Sequence, residues 1–466
     1  MITLSLAQVA VDIGGRVVRG AGHAQVRGVS TDTRTLAAGQ LFVALSGPNF
    51  DGRTFIAMAE ERGAAAALVS ANTPHPDGAL PLVEAPGDTL AALGVLANAH
   101  RERCDARVIG LTGSAGKTTT KEMIAAILAE VGPTLATVGN LNNLIGVPLT
   151  LFGLGPEHRF AVVEMGMNRF GEIDTMTRMV RPHVGLITLV AAAHTEGVGG
   201  IAGVAQAKGE LFDALPEGAV AIVNADDPYI AARVSRLRVP HLTFGRREGV
   251  DVRLVRADPT TLEGTRARIA VRGEEVEVTL PQVGVHQAQN ATAAMASALA
   301  LDIPIASMVR GLAKSACASG RMNVRRGHGF TVLDDTYNAN PQSVLAALDT
   351  VMTLAAPSGA RPVAILGDMR ELGTESRERH EEVGRAAVTR VSALFAFGPE
   401  SEALARAARD AGLAAVFHDV DFDALCNVVR QHVTTRDLVL VKGSRGMRTE
   451  RFVAALLGAA HQGAHP

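Results

Sequence analysis

The sequence has no tryptophan, two tyrosines and three cysteines in 466 residues. Cys104, Cys317 and Cys426 lie far apart with no CxxC spacing, which excludes a disulfide framework and a thiolate zinc site. They are read as buried small hydrophobes. An excess of one charge is missing too, with 45 Lys and Arg against 47 Asp and Glu and a formal charge of -2. No global field would gather nucleic acid or anionic lipid, so no nucleic-acid partner is expected and any phosphate site must be built locally. No uncharged apolar run reaches the roughly 20 residues of a membrane helix. The opening MITLSLAQVAVDIGG lacks a basic n-region and a small-residue cleavage site, so it is not read as a signal peptide and cytoplasmic residence is the expectation.

The composition is 47% hydrophobic and 20% charged, ordinary for an α/β protein, and the length leaves room for about three domains. Short apolar runs alternate with longer amphipathic segments, the pattern of stacked βα units with parallel sheets. In a first block, 1–105, strands are expected at 39–44 and 64–69 around a helix at 53–62. The second block, 106–313, places strands at 107–111, 160–163, 184–189 and 219–223. Stretches of strand alternation follow at 250–255 and 267–271, then helices at 288–301 and 303–313, the latter opened by Pro304. The third block, 314–466, has strands at 330–333, 363–366, 394–397 and 438–441.

The most informative stretch is 108–128, VIGLTGSAGKTTTKEMIAAIL, in which an apolar strand enters a Gly-rich turn and leaves as a helix. Such a turn is a phosphate loop: Gly113 and Gly116 let successive N–H groups of Ser114, Ala115 and their neighbours point inward. Lys117 supplies positive charge and the Thr118 hydroxyl can ligate Mg²⁺, with Thr119 following. Five residues separate Gly110 from Gly116 where the general pattern has four, yet ATP or GTP binding remains the inference. Glu164 ends the strand in FAVVEMGM, at the carboxyl edge where open α/β sheets bind ligands, and can hold Mg²⁺ against phosphates. By chemistry alone His194 reads equally as a loop histidine or a ligand, and Lys208, on a helix in VAQAKGELF, as an exposed lysine. Three strand-end loops of the third block, LDDTYNANPQS, LGDMRELG and VKGSRGM, are denser in polar residues than turns alone require.

GLTGSAGKTTTKEM resembles the nucleotide loop of the Mur ligases, whose relatives include folylpolyglutamate synthetase. SGRMN and the three third-block loops resemble the members of that family that add a dipeptide. The resemblance implies three α/β domains: an N-terminal UDP-binding one, a central P-loop-type parallel-sheet ATPase, and a C-terminal Rossmann-like one. It also implies two Mg²⁺ ions held by Thr118, Glu164, His194 and a Lys208 carrying a CO₂-derived carbamate. Lys117, His194 and Lys208 would serve catalysis. Asn290, Arg321, Asp335, Tyr337 and Asn338 would lie near the nucleotide, and Lys442, Ser444 and Arg445 near the acceptor or reacting phosphate.

In VSTDTRTLAAGQLFVALSGPNFDGRTFI, which resembles the family's UDP-recognition segment, Ser30, Thr33, Arg34 and Asn49 would face uracil and diphosphate, while Asp51-Gly52 reads equally as a turn. Asn140, Asn142 and Asn143, in TVGNLNNLIGVPLTLF, offer amides to a peptide. The implied activity joins D-alanyl-D-alanine to a UDP-linked muramoyl tripeptide through an acyl phosphate, performed by a monomer. Alternatives are the sister ligase that adds the third amino acid, or a nucleotide-binding scaffold without catalysis. The chain departs from the family at Thr188-Leu189, where an Asn is usual, at His286-Gln287, where HN is usual, and at Thr449, where Met is usual.

Overall fold

The computed structural model describes residues 2–47, 50–71, 74, 77–192 and 195–458. Three large sheets follow one another along the chain. The first orders Arg16–Arg19, Leu82–Ala85, Ala66–Ser70, Leu41–Val43 and Val29–Ser30, with only the Arg16–Arg19 edge antiparallel. The second has nine strands in the order Thr134–Ala136, Phe160–Glu164, Arg107–Thr112, Val184–Ile187, Val220–Asn224, His241–Gly245, Val252–Ala257, Thr265–Val271 and Glu274–Leu280. Its first seven are parallel, and the last two close it as an antiparallel edge. The third orders Asn323–Gly327, Phe330–Asp335, Asp437–Lys442, Arg361–Gly367, Ala393–Phe397 and Val416–Asp419, parallel except at its first pairing.

Strands such as VIGL and FAVV are apolar at every position because helices cover both faces of a parallel sheet. Ile109 and Leu111 meet Ile124 and Ile127 of the helix Lys117–Ala129 on one face, while Val108, Ala161 and Val163 join Met176 and Leu211 on the other. The third sheet is covered on both faces in the same way, in the expected Rossmann-like manner. The first two sheets share one apolar cluster through the helix Thr89–Glu102, whose Leu93 and Leu96 pack with Val147 and Met179. Arg101 on that helix is buried and donates to Val180 O (3.1 Å) and Arg181 O (3.4 Å). A cation thus satisfies carbonyls left open at the end of the helix Glu172–Val180.

The expected strands and helices all occur, with ends shifted by a few residues, but the interior strands Leu82–Ala85 and His241–Gly245 and the edge strand Glu274–Leu280 were not anticipated. Pro304 is the N-cap of the helix Ile305–Ala313, one residue before its first turn. The cysteine reading needs correction: Cys426 is buried, Cys104 is half-buried and Cys317 is exposed, because Cys317 follows the end of that helix rather than sitting on its apolar stripe. Among the described residues no helix is long and apolar enough to cross a membrane.

Gly311 brings the helix Ile305–Ala313 against the phosphate-loop helix so closely that a Cβ would collide with Ile127 Cα and lie 2.7 Å from Ala126 O. Both are backbone atoms and cannot swing aside. Gly311→Ala is expected to cost about 1–3 kcal/mol by overpacking, read as a fall of several degrees in the thermal unfolding midpoint.

Candidate functional site

Between the strand Arg107–Thr112 and the helix Lys117–Ala129 the backbone turns through Gly113 (φ 154°) and Gly116 (φ 78°). Gly116 is the helix N-cap in the left-handed region, and a Cβ there would also lie 2.5 Å from Asn290 Oδ1. A Cβ on Gly113 would collide with Thr188 Oγ1. Both glycines are therefore demanded by what surrounds the turn as well as by its curl. The first N–H groups of the helix find no partner inside it and, with the helix dipole, favour an anion.

Thr188 clamps this loop from the neighbouring strand. Its N–H donates to Thr112 O (3.0 Å), its hydroxyl donates to Ala115 O (2.6 Å), and Asn224 Nδ2 donates to its carbonyl (2.8 Å). Ser114 completes the clamp, its N–H on Leu189 O (2.9 Å) and its hydroxyl exchanging hydrogen bonds with the backbone of Ala191. Lys117 Nζ donates to Gly113 O (2.7 Å). Gln287 accepts from Asn290 Nδ2 (2.8 Å) and so orients Asn290 against Gly116.

Glu164 is 2% exposed. Its Oε1 accepts from Asn142 Nδ2 (2.9 Å), its N–H donates to Thr137 Oγ1 (3.0 Å), and its Oε2 is buried with no hydrogen-bond partner. Such an orphaned carboxylate oxygen is costly unless something cationic meets it. Lys208, on the helix Ile201–Asp213, is 1% exposed. Burial pushes its ammonium well below the usual lysine range, and the charge of Lys117 pushes the same way. Burial also lowers the Lys117 pKa; Glu164 and Glu371 oppose that shift and Arg321 adds to it. The exposed-lysine reading of Lys208 is thus replaced by a buried amine beside the phosphate loop. His194 lies outside the described residues.

The third block meets this loop edge to edge. Asn340 Nδ2 donates to Ser114 O (3.2 Å) and Arg321 Nη2 to Thr118 Oγ1 (3.4 Å). The Arg321 guanidinium lies 4.2 Å from the centre of the Tyr337 ring, a cation–π contact. Lys442 Nζ donates to Asp335 Oδ2 (2.6 Å) and Asn338 O (2.8 Å), and Asp335 Oδ1 accepts Met322 N (3.1 Å). One cleft is lined by residues 114–119, Asn290, Arg321, Asp335, Asn338, Arg370, Glu371 and Lys442. Most of the expected nucleotide residues therefore share one cavity, reached from two sheets.

The other expected residues lie elsewhere or are otherwise engaged. Ser444 is buried, with its hydroxyl between Arg370 N (2.9 Å) and Ala339 O (3.4 Å), while Arg445 is exposed and 3.6 Å from Glu450. Ser30 Oγ closes a turn with Asp32, and Arg34 pairs with the Asp32 carboxylate (2.8 Å). Asp51 caps the short helix Gly52–Phe55, so the turn reading holds there. The Arg53 side chain and N–H hold the Asp51 carboxyl down at about 2. Asn140 and Asn143 are exposed, and Asn143 Oδ1 accepts from Ile145 N and Gly146 N at the start of a helix. Asn49 lies outside the described residues. Sequence reasoning missed Asn340 and the support that Thr188 gives the loop, since both act on residues far away in the chain.

Family models match in three places: the Mur ligase family catalytic domain at 25–101, the Mur ligase middle domain at 111–298, and the Mur ligase glutamate ligase domain at 320–445. The UDP-N-acetylmuramoyl-tripeptide--D-alanyl-D-alanine ligase of Escherichia coli (strain K12) is 39% identical over 98% of this chain and 99% of its own length. The chain belongs to the Mur ligase family. The like-named ligase of Bacillus subtilis (strain 168) is 34% identical over 93% of each chain. Among solved structures, MurF from Acinetobacter baumannii superposes with a TM-score of 0.90 at 33% identity, covering 98% of this chain and 99% of that one. The MurF ligase from Thermotoga maritima in complex with ADP gives 0.81 at 27% identity, covering 93% and 97%.

In this Mur ligase chain the hydroxyl of Thr188 is the direct prop of the phosphate loop. Thr188→Val keeps the volume but leaves Ala115 O unpaired, and is expected to weaken nucleotide affinity about fivefold to tenfold, the value of one such bond. Thr188→Ser should restore it, with isothermal titration as the measurement.

Proposed function

We propose that the chain is an ATP-dependent ligase that adds D-alanyl-D-alanine to UDP-N-acetylmuramoyl-tripeptide through an acyl phosphate, in peptidoglycan precursor synthesis. The observation that carries this reading is the phosphate loop whose open side faces a second sheet bearing Arg321, Asp335 and Lys442. A triphosphate in that cleft would lie between the second block and the third, to which the acceptor is assigned. Relatives that match nearly end to end bear the name of this activity.

The terminal carboxylate of the tripeptide attacks the γ-phosphorus of ATP. An oxygen–phosphorus bond forms, the bond to ADP breaks, and hydroxide is replaced by phosphate as the later leaving group. The amine of the dipeptide then attacks the acyl carbon; nitrogen–carbon bonding expels phosphate and the ammonium proton passes to solvent. In this scheme Lys117 holds charge on the transferring oxygens and the loop N–H groups orient them, so the protein's work is positioning and electrostatic. Movement of the third block over the second would exclude water from the acyl phosphate.

The residues present fit a divalent cation. Glu164 has a buried oxygen without a partner and Thr118 has a hydroxyl at the loop, and Mg²⁺ typically takes one or two such protein ligands together with phosphate oxygens. Bound there, Mg²⁺ would neutralise developing charge on the phosphates. His194 and a carbamylated Lys208 would hold a second ion. The amine of Lys208 suits that modification because burial favours its neutral form, and only a neutral amine attacks CO₂, losing a proton as the carbamate forms.

The domain division at 105/106 and 313/314 assigns UDP to the first block, with Ser30, Arg34 and Asn49. Nucleotide chemistry falls to the second block, and the acceptor to the third, with Lys442, Ser444 and Arg445 beside it. Asn140 and Asn143 would face the peptide. We assign the protein to the cytoplasm, as a monomer.

Phosphate release should require ATP, the UDP-linked tripeptide and D-alanyl-D-alanine together, and Lys117→Ala should lower kcat by about 100-fold or more. Release without the dipeptide, or indifference to Lys117, would overturn the reading. A separate expectation concerns Lys208. Protein equilibrated with ¹³C-labelled CO₂ should show a carbamate resonance that disappears in Lys208→Ala, and in the parent weakens as pH is lowered and the amine is protonated.

A further inference from the structure

Three consecutive N–H groups beyond the strand Arg361–Gly367 are each held by a different element. Asp368 N donates to Phe397 O (3.2 Å), Met369 N to His380 Nε2 (3.0 Å) and Arg370 N to Ser444 Oγ (2.9 Å). The Asp368 carboxylate accepts Ser401 N (2.8 Å) and its carbonyl accepts Ser444 N (3.1 Å). Immediately after these anchors, Glu371 has φ 67°, a left-handed conformation that a side-chain-bearing residue keeps only where its surroundings enforce it. Arg370 and Glu371 line the cleft that holds the phosphate loop, and Glu371 is near enough to Lys117 to counter the lowering of its pKa.

His380 is 0% exposed, on the helix Ser376–Ala387. Its Nδ1 is 2.8 Å from Ser376 O. A carbonyl only accepts, so Nδ1 carries the proton; Nε2 then has the lone pair that the Met369 N–H requires. Two backbone groups thus dictate a neutral imidazole with one defined tautomer. The ring does not line the cleft, and its hydrogen bond from Met369 N ties it to the turn that does.

We propose that His380 is a positioning residue for ligation: its Nε2 fixes Met369 so that the strained turn presents Arg370 and Glu371 to the phosphate end of the cleft. This rests on the ligase reading above. The phosphate loop belongs to another sheet, so nucleotide affinity should be independent of His380 while turnover depends on it.

Two substitutions separate the two bonds of the ring. His380→Gln keeps an acceptor at the outer position, toward Met369. His380→Asn keeps a donor at the inner position, toward Ser376 O, and withdraws the acceptor. Each is compared with the parent in steady-state amide formation, ATP binding by titration calorimetry, and thermal midpoint. The Gln variant is expected to hold kcat within about threefold and the Asn variant to lose about 100-fold, the scale of a small misplacement at a reacting centre. ATP affinity should stay within about twofold in both.

Equal kcat in the two variants would overturn the proposal. So would a loss in the Asn variant that is matched by lost ATP affinity or by a proportionate loss of folded protein. The parent's own turnover is measured first: a parent that forms no amide overturns the ligase reading and this proposal together, whereas an active parent with the wrong variant pattern overturns this proposal alone.

Discussion

The arrangement depends on a crowd of cationic groups that cannot be satisfied by the protein alone. Lys117 feels the charge of Arg321, Lys208 feels that of Lys117, and burial lowers the pKa of both lysines. Glu164 and Glu371 are the carboxylates that act on Lys117, and one Glu164 oxygen is taken by Asn142. In a low-dielectric pocket like charges are costly. Phosphate oxygens would relieve that cost for Lys117, and the carbamate proposed for Lys208 would relieve it there by turning a would-be cation into an anion. The positive-φ glycines, the Thr188 clamp and the contacts from the third sheet hold the loop that carries Lys117.

Hydrogen bonds knit the site within each block and also join the two blocks. Within the second block the clamp closes at 2.6 Å between Thr188 Oγ1 and Ala115 O, and within the third Lys442 meets Asp335 at 2.6 Å. Between the blocks the contacts of Asn340 with Ser114 and of Arg321 with Thr118 are 3.2 and 3.4 Å. The proposed closure of the third block over the second would act across these two inter-block contacts. The first sheet behaves differently, since it shares an apolar cluster with the second through Leu93 and Leu96.

Features set by neighbouring residues were legible before the structure. The phosphate loop is one, because strand, glycines, lysine and helix are contiguous; Glu164 is another, because a carboxylate at the end of an apolar run lands on the ligand edge of the sheet. Lys208 was legible in principle: Val204, Ala207, Leu211 and Phe212 are buried with it on one face of the helix, and a lysine on such a stripe is not a solvated one. Asn340 and Thr188 were not legible, since each acts on a residue far away in the chain and nothing local distinguishes them from turn formers. Asn143 is a different case, since its Oδ1 accepts the N–H groups of Ile145 and Gly146 just ahead of it, a local turn that an asparagine favours.

The departures from the family pattern fall on positions where the structure shows what the side chain has to do. Leu189 serves the phosphate loop with its carbonyl, which accepts Ser114 N, so that contribution is indifferent to whether the side chain is an amide. Gln287 is buried and spends its oxygen on Asn290. Asn290 in turn meets Gly116. Thr449 is the harder case: it is fully buried against Gly367 and Gly443, and its hydroxyl has no partner. A longer apolar side chain would need the room those two glycines leave, whereas threonine fills it at the expense of an unsatisfied hydroxyl. Two of the three changes therefore preserve the contacts around the phosphate loop, and the third trades packing for a buried polar atom beneath the loop that carries Ser444.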